Sequence, residues 1–346
     1  MTPARRLMFS SEPAGVSLEA FELSDPKPSQ ILVQNSHTQV SAGSESNFLR
    51  HGPTSYGLPP GPAKANIGYM ATGRIIALGS EVKRLAIGDR IVTTSSHASH
   101  CLVDVGHPTA LDPIPNGVPD TVAGFAVLGD VALHAVRRAA LQIDQSVAIF
   151  GMGMVGQLVL QLARASGAYP LIAIDLSDER LELSRLSGAT HVIHAAREDV
   201  VKRIKELTGG KGCETVFHCA QAATILQTTM ECAADRGSVI LTGSPAGTAT
   251  IRLKEELLRK ELRVTGTYES GMNDVHAYWG WTRERNRRSC LRLMGTGQLS
   301  LEHLMTHVVP AEEAPQVYET ILAGTTGWLG IAFSWSPTPA PAGASC

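Results

Sequence analysis

Hydrophobic runs alternate with amphipathic segments over the middle of the chain. Short runs rich in β-branched residues predict strands at residues 147–150, 171–174, 191–193, 215–218, 238–241 and 263–265. The segments between them carry apolar residues at helical spacing and predict helices at 123–140, 155–165, 179–186, 200–207, 223–232 and 254–259. Because strand and helix alternate, the pattern predicts an α/β domain with a doubly wound parallel sheet.

The first third of the chain has a different pattern. It is rich in Gly, Pro, Ser and Thr, and short apolar runs predict strands at 30–34, 73–78, 89–93 and 100–105. This pattern predicts a small, mostly antiparallel barrel. After Gly266 the pattern is again less regular, and we expect this segment to complete the first domain. The predicted organisation is a β-rich domain (1–125), the α/β domain (126–268), a return segment (269–335) and a disordered tail (336–346).

A glycine motif follows the first predicted strand of the α/β domain. Gly151, Gly153 and Gly156 form Gly-x-Gly-x-x-Gly, and Asp175 ends the next strand nineteen positions later. The glycines permit a sharp turn, close approach of the backbone to a pyrophosphate and tight packing of the helix. An acid at this distance can accept hydrogen bonds from an adenosine ribose. The residues expected to bind a dinucleotide here are Gly151, Gly153, Met154, Val155, Gly156, Asp175 and Leu176.

Composition narrows the function classes. A chain of 346 residues that is 43% hydrophobic can bury a sizeable core in two domains. The net charge of −2 gives no electrostatic case for a nucleic-acid or membrane partner. The six cysteines are scattered without a Cys-x-x-Cys pair, which suits a reducing cytoplasm. The first fifteen residues lack the apolar core of a signal peptide. We therefore expect a cytoplasmic protein that acts on a small molecule.

The chain resembles the medium-chain dehydrogenase/reductase superfamily, which includes the zinc alcohol and polyol dehydrogenases. The resemblance rests on residues 68–92 (GYMATGRIIALGSEVKRLAIGDRIV), on 132–139 (ALHAVRRA), on 180–189 (RLELSRLSGA) and on 241–244 (LTGS). It implies a GroES-like β-rich barrel domain plus a Rossmann domain, and a homodimer or homotetramer formed through strands near 263–266. It also implies cofactor contacts at Arg180, Thr242, Gly243 and Ser244.

The positions of the family's zinc ligands carry other residues. Ala42 stands in place of the ligand cysteine, and Tyr69 and Met70 stand in place of a His-Glu pair. Val127 falls near the later ligand, and the four-cysteine lobe is missing after residue 92. None of these side chains is a good ligand for zinc. We therefore expect no bound metal.

Without zinc, a side chain must exchange the proton of the reacting hydroxyl. Ser44 takes the place of the family's proton-relay residue, although it could be a turn serine, and Tyr69 could either act on the substrate or fill the vacated space. Glu45 and Asp130 are nearby carboxylates, each of which could instead form an ion pair, and His51 could border the substrate cleft. The catalytic candidates are therefore Ser44, Tyr69, Asp130, Glu45 and His51, with His97, His100 and His134 as further histidines.

The expected cofactor is NAD, because Asp175 would repel the 2′-phosphate of NADP and neither Leu176 nor Ser177 supplies a cation. The predicted function is zinc-independent, NAD(H)-dependent interconversion of a secondary alcohol (polyol, sugar or cyclitol-like) and its ketone. Two alternatives stay open from the sequence. One is an NAD(P)H-dependent quinone or enoyl reductase, and the other is a catalytically inactive dinucleotide-binding protein.

Overall fold

The computed structural model describes residues 1–11, 14–52, 64–107, 111–245, 247–268, 280–324 and 327–335. The chain divides into two compact units. The first unit comprises Met1–Phe125 and Met305–Cys346, and the second unit comprises Ala126–Leu304. The sequence predicted that residues 269–335 complete the first domain. In the structure, residues up to Leu304 belong to the second unit, and the first unit resumes at Met305. The predicted disordered tail, 336–346, lies outside the described residues.

Strands and helices are numbered along the whole chain. The first eight strands are β1 (Thr2–Ser11), β2 (Ala14–Leu23), β3 (Gln30–Gln39), β4 (Lys64–Asn66), β5 (Ala71–Leu78), β6 (Arg90–Thr93), β7 (His100–Asp104) and β8 (Leu111–Pro113). The later strands are β9 (Val147–Phe150), β10 (Leu171–Asp175), β11 (His191–His194), β12 (Cys213–His218), β13 (Ala233–Leu241), β14 (Arg263–Gly266), β15 (Met305–Pro310) and β16 (Gly330–Ser334). The α-helices are α1 (Ala42–His51), α2 (Asp120–Ala123), α3 (Ala126–Ala139), α4 (Met154–Ala165), α5 (Asp178–Leu186), α6 (Val200–Leu207), α7 (Leu226–Glu231), α8 (Arg283–Gly295) and α9 (Ala314–Leu322).

The first unit is built from two sheets. One has the order β2-β1-β4, and the other has the order β15-β16-β3-β5-β6-β8, with β7 paired to β3. Strand β16 pairs antiparallel with β3, so the end of the chain completes the sheet that the first third begins. Leu7, Val40, Ile67, Tyr318 and Phe333 belong to one buried cluster that joins these segments. The predicted β-rich domain is confirmed, and its long β-strands position α1 and the segment before β5.

The second unit contains a six-stranded parallel sheet in the order β11-β10-β9-β12-β13-β14. All four residues of β9 are buried, as expected for a central parallel strand covered on both faces. Phe150 lies in register with Ile174 on one side and with His218 on the other. Because the strands are parallel, their carboxyl ends meet at one edge of the sheet. The predicted doubly wound sheet is confirmed.

Several local predictions differ from the structure. The sequence predicted one helix over 123–140, but the helical path breaks around Gly124, between α2 and α3. The predicted helix at 254–259 is a short π-helix, Leu253–Leu258. Strands β1 and β2 and helix α1 were not predicted. None of the helices among the described residues is long and apolar enough to cross a membrane.

Candidate functional site

The glycine motif forms the turn between β9 and α4 in the second unit. Gly151 has φ +90, and a Cβ there would lie 2.8 Å from the backbone nitrogen of Ala220. A Cβ on Gly156 would overlap the carbonyl oxygen of Gly151, so this glycine lets the helix pack directly on the turn. Gly153 differs from both, because, apart from its own chain neighbours, no atom of the described residues lies within 4 Å of its ideal Cβ position. The turn therefore leaves open space beside Gly153, as a bound pyrophosphate would require.

Helix α4 begins beside this space. Gly153 is its N-cap, and among the described residues no side chain caps it by a hydrogen bond. The first turn, which starts at Met154 and Val155, contains no acidic residue. The backbone N–H groups of a first helical turn have no partner within the helix, and the helix dipole favours an anion there. The N-terminus of α4 therefore suits a phosphate group.

Asp175 ends β10 beside the glycine turn. Its Oδ2 accepts a hydrogen bond from the N–H of Met152 at 2.6 Å, and its Oδ1 accepts from Leu176 at 2.7 Å and Ser177 at 3.0 Å. The Arg180 guanidinium lies 3.9 Å from Oδ2. The carboxylate thus holds the glycine turn and the start of α5 together. Leu176 is 68% exposed.

The segment after β13 lies at the same edge of the sheet. The N–H groups of Thr242 and Gly243 both donate to the carbonyl oxygen of His218, at 3.0 and 2.9 Å. A Cβ on Gly243 would lie 2.5 Å from the carbonyl oxygen of Ala220, so the two strand ends approach closely. Ser244 is exposed. The structure therefore brings all predicted cofactor residues to the carboxyl edge of the sheet, where ligands of such sheets bind.

Two hydroxyl groups meet in the first unit. Ser44 lies in the first turn of α1, and the Tyr69 phenol donates a hydrogen bond to the Ser44 Oγ at 3.3 Å. Tyr69 precedes β5 and comes from a segment 25 residues further along the chain. Both side chains are partly buried. Because the Ser44 oxygen accepts the hydrogen bond from the phenol, the Ser44 proton is available to donate to another oxygen atom, such as that of a substrate.

Glu45 is buried next to Ser44 and has three partners. Its Oε1 accepts the Ser41 N–H at 2.8 Å. Its Oε2 accepts the Tyr318 hydroxyl at 2.6 Å and lies 3.2 Å from the Nε2 of His97. Burial raises the pKa of Tyr318 well above its ordinary value, and the neighbouring Glu45 carboxylate raises it further. The three contacts engage both carboxylate oxygens of Glu45, which gives this residue a structural environment.

Asp130 is fully buried in α3 and pairs with α8. It accepts hydrogen bonds from the Arg283 Nε at 2.9 Å and from the Asn286 side chain at 3.0 Å. Burial raises the pKa of Asp130, while Arg283 and Asn286 oppose the shift. The pairing accounts for a charge inside an apolar helix without a catalytic role.

The histidine candidates occupy different environments. His51 is exposed at the last residue of α1. Ser44 and His51 are seven residues apart, about two turns, so they lie on the same face of the helix. His134 is buried in α3, and burial followed by Arg138 and Arg137 lowers its pKa to about 4. His100 is buried in the first unit, and its Nδ1 lies 3.0 Å from the Ser99 Oγ.

The residues that stand at the family's zinc-ligand positions lie in α1, just before β5 and in α3. Ala42 is the first residue of α1, Met70 is fully buried, and Val127 is buried in α3. In the part of the chain that the structure describes, no group of three or more His, Cys, Asp or Glu side chains is arranged to hold a metal ion. The methyl, phenol, thioether and isopropyl groups at Ala42, Tyr69, Met70 and Val127 do not fit zinc.

Sequence reasoning missed two features of this region. Tyr318 was not a candidate, and His97 was named without a partner. The contacts of Glu45 with these residues join positions 52 and 273 residues apart, which no local motif can indicate.

Comparisons with known proteins find similarity to dehydrogenases. The family model described as "Zinc-binding dehydrogenase" matches residues 154–284. D-guloside 3-dehydrogenase of Escherichia coli (strain K12) is 27% identical over 257 residues, covering 74% of this chain and 73% of that enzyme. L-threonine 3-dehydrogenase of Pyrococcus horikoshii is 30% identical over 222 residues, covering 64% of this chain and 56% of that enzyme. An alcohol dehydrogenase of Escherichia coli CFT073, solved with NADH, has a TM-score of 0.81 at 16% identity, covering 97% of this chain and all of that one. This structural similarity shows the fold.

Proposed function

We propose that this chain, which is similar to zinc-binding dehydrogenases, is a zinc-independent, NAD(H)-dependent oxidoreductase of the medium-chain dehydrogenase/reductase superfamily that acts on CH–OH groups. The reaction is the interconversion of a secondary alcohol and its ketone. The observation that carries the proposal is the open space beside Gly153 at an uncapped helix N-terminus, with Asp175 next to it. The relatives named above are dehydrogenases of hydroxylated compounds.

The second unit would hold the cofactor. The first turn of α4, from Met154, would bind the pyrophosphate, and Asp175 would accept hydrogen bonds from the adenosine ribose. When bound, a nicotinamide dinucleotide accepts or donates a hydride at the substrate carbon. The Asp175 carboxylate would repel a 2′-phosphate, and this repulsion supports NAD over NADP.

The first unit would handle the proton. In the reductive direction, the Ser44 hydroxyl donates its proton to the carbonyl oxygen of the substrate, the Tyr69 phenol passes a proton to Ser44, and Tyr69, which is only partly buried, regains a proton from solvent. In the oxidative direction, these transfers run in reverse. The 3.3 Å contact between the two hydroxyls supports this order, because Tyr69 is the donor and Ser44 the acceptor.

Zinc has no part in this mechanism. In the family pattern, the ligand positions fall at Ala42, Tyr69 and Met70, and none of them supplies a thiolate, an imidazole or a carboxylate. The nearby Glu45 is committed to Ser41, His97 and Tyr318.

The proposed substrate is a polyol, a sugar or a cyclitol-like compound. Ser44, Asn47 and His51 follow one another at helical spacing along a single face of α1, and none of them is buried. Such a face offers hydrogen-bonding groups at successive positions along the helix, which suits a molecule with several hydroxyl groups. A quinone, whose only polar groups are its carbonyl oxygens, would use fewer of these hydrogen-bonding groups.

We also propose that the protein is a homo-oligomer. Among the described strands, β14 lies at the edge of the parallel sheet; Val264 within it and Tyr268 just after it are 40% and 62% exposed. An exposed edge strand with apolar side chains is a template for pairing with a second copy.

The test is a panel of polyols, cyclitols and quinones, assayed with NAD(H) and NADP(H) by the absorbance of the reduced cofactor. We expect turnover of a hydroxylated compound with NAD. In Ser44→Ala, kcat should fall by roughly 100- to 10,000-fold, the usual contribution of a proton-transfer group. Ser46→Ala is the matched control, because its Oγ donates a hydrogen bond to the Gly43 carbonyl oxygen within the same helix. Turnover confined to quinones, or no turnover at all, would contradict the proposal.

A further inference from the structure

Glu45 connects three separate segments of the first unit. The Ser41 N–H comes from the start of α1, His97 precedes β7, and Tyr318 lies in α9. The side chains of Glu45, His97 and Tyr318 are 3%, 0% and 2% exposed. A buried carboxylate with three polar partners is held in one orientation, since moving it would leave donors unpaired.

His97 is itself fixed by its backbone and by packing. Its N–H donates to the carbonyl oxygen of Ile67 at 2.8 Å, and its carbonyl oxygen accepts from Leu7 at 2.9 Å. Its ring meets the Phe333 ring edge to face, with centroids 5.2 Å apart. The imidazole therefore has little freedom to move away from Glu45.

The same imidazole supports the segment that carries Tyr69. Gly68 has φ +87, and a Cβ built there would lie 2.5 Å from the Nε2 of His97. The backbone just before Tyr69 therefore lies directly against the ring. Gly68 is required both for the left-handed backbone and for this close approach.

The two hydroxyls of the proposed proton path are thus attached to one buried cluster. Ser44 is the chain neighbour of Glu45, and Tyr69 is the chain neighbour of Gly68. We propose that His97 and Tyr318 are positioning residues that, through Glu45 and Gly68, set the contact between the Ser44 and Tyr69 hydroxyls. This inference rests on the proposed function for its catalytic meaning, although the positioning can be measured without turnover.

The first test is Tyr318→Phe, which removes one hydroxyl and keeps the ring. We expect kcat to fall by about 10- to 100-fold, as for small misplacements of reacting groups, with the KM for NAD unchanged. His97→Ala should behave in the same way, and His97→Gln should recover part of the loss because its amide can donate to Glu45.

The matched control is Thr38→Val. The Thr38 Oγ1 accepts a hydrogen bond from the Trp335 Nε1 at 3.0 Å in the same unit, whereas the hydrogen-bond partners of Glu45 are Ser41, His97 and Tyr318. This variant also loses one buried hydrogen bond, so it should lose comparable stability and retain kcat. Equal kcat losses in Tyr318→Phe and Thr38→Val would overturn the positioning role.

A second readout is independent of activity. The chain has six tyrosines, so 3-fluorotyrosine labelling gives a simple fluorine NMR spectrum in which Tyr69→Phe identifies the Tyr69 resonance. We expect this resonance to shift in His97→Ala and to stay in place in Thr38→Val. If it is unmoved in both, the inference is wrong whether or not the protein is a dehydrogenase. If it moves while no alcohol is oxidised, the proposed function fails and the positioning stands.

Discussion

Two substitutions in the glycine turn, each of which adds one methyl group, distinguish an effect on cofactor binding from an effect on folding. Gly153 has φ −67, which alanine adopts readily, and the added Cβ would have no atom within 4 Å in the part of the chain that the structure describes, apart from its immediate chain neighbours. Gly156→Ala places the same methyl group on the carbonyl oxygen of Gly151, where the backbone must shift. The first change should therefore affect only the ligand, and the second should affect the fold.

The expected magnitudes follow from these contacts. A methyl on Gly153 that displaces the pyrophosphate from one N–H group loses a hydrogen bond to a charged group, about 1.5–3 kcal/mol. This loss corresponds to roughly 10- to 150-fold in the Kd of NADH. Replacing Gly by Ala at an N-cap should change the free energy of unfolding by about 1 kcal/mol or less. Overpacking at Gly156 should reduce the free energy of unfolding by about 1–3 kcal/mol.

The assay combines NADH fluorescence titration with thermal unfolding of each variant. For a domain of this size, the loss in Gly156→Ala corresponds to a Tm lower by about 2–12 °C. Gly153→Ala should keep the Tm within about 4 °C of the wild type while binding NADH more weakly. An unchanged Kd in Gly153→Ala would show that this space is not where the cofactor lies. An unchanged Tm in Gly156→Ala would refute the packing argument.

Three further predictions test other parts of the account. Asp175→Asn keeps one of the two oxygens that accept backbone N–H groups and removes the charge, so the ratio of kcat/KM for NAD over NADP should fall at least about tenfold; an unchanged ratio would contradict the ribose assignment. His134 has its pKa lowered to about 4 by burial beside Arg138, so between pH 6.5 and 4 the unfolded chain takes up a proton that the folded protein does not. The free energy of unfolding should therefore fall as the pH drops through this window, and fall less in His134→Gln; equal slopes in urea titrations would refute this linkage. Val264→Lys, on the edge strand, should yield a smaller species by light scattering, whereas an unchanged mass would exclude β14 as the interface.

The nucleotide-binding part of the fold was predictable because its signals are local. Gly151, Gly153 and Gly156 follow one apolar strand, and Asp175 ends the next, so spacing alone defines the turn, the helix and the acid. The structure adds that the Asp175 carboxylate also holds the turn through the Met152 N–H. A residue assigned to the ligand therefore also stabilises the loop.

The environment of the proton-transfer candidates could not be predicted in the same way. The role of Glu45 depends on His97 and Tyr318, which are distant in sequence, and the pairing of Asp130 depends on Arg283, 153 residues away. Strand β1 was missed for a different reason. Its buried residues, Ala4 and Leu7–Phe9, do not alternate with exposed ones, so the segment lacks the two-residue period by which a half-buried strand is predicted. Only tertiary contacts define these features.

The central claim is that this dehydrogenase transfers its proton without zinc. The most direct measurement is alcohol turnover with NAD after exhaustive treatment with a chelator, with the metal content of the same sample determined by elemental analysis. The account predicts a rate equal to that of the untreated enzyme, with zinc far below one atom per chain and no gain when zinc is added. Loss of turnover in the chelator and its recovery with zinc would contradict the account.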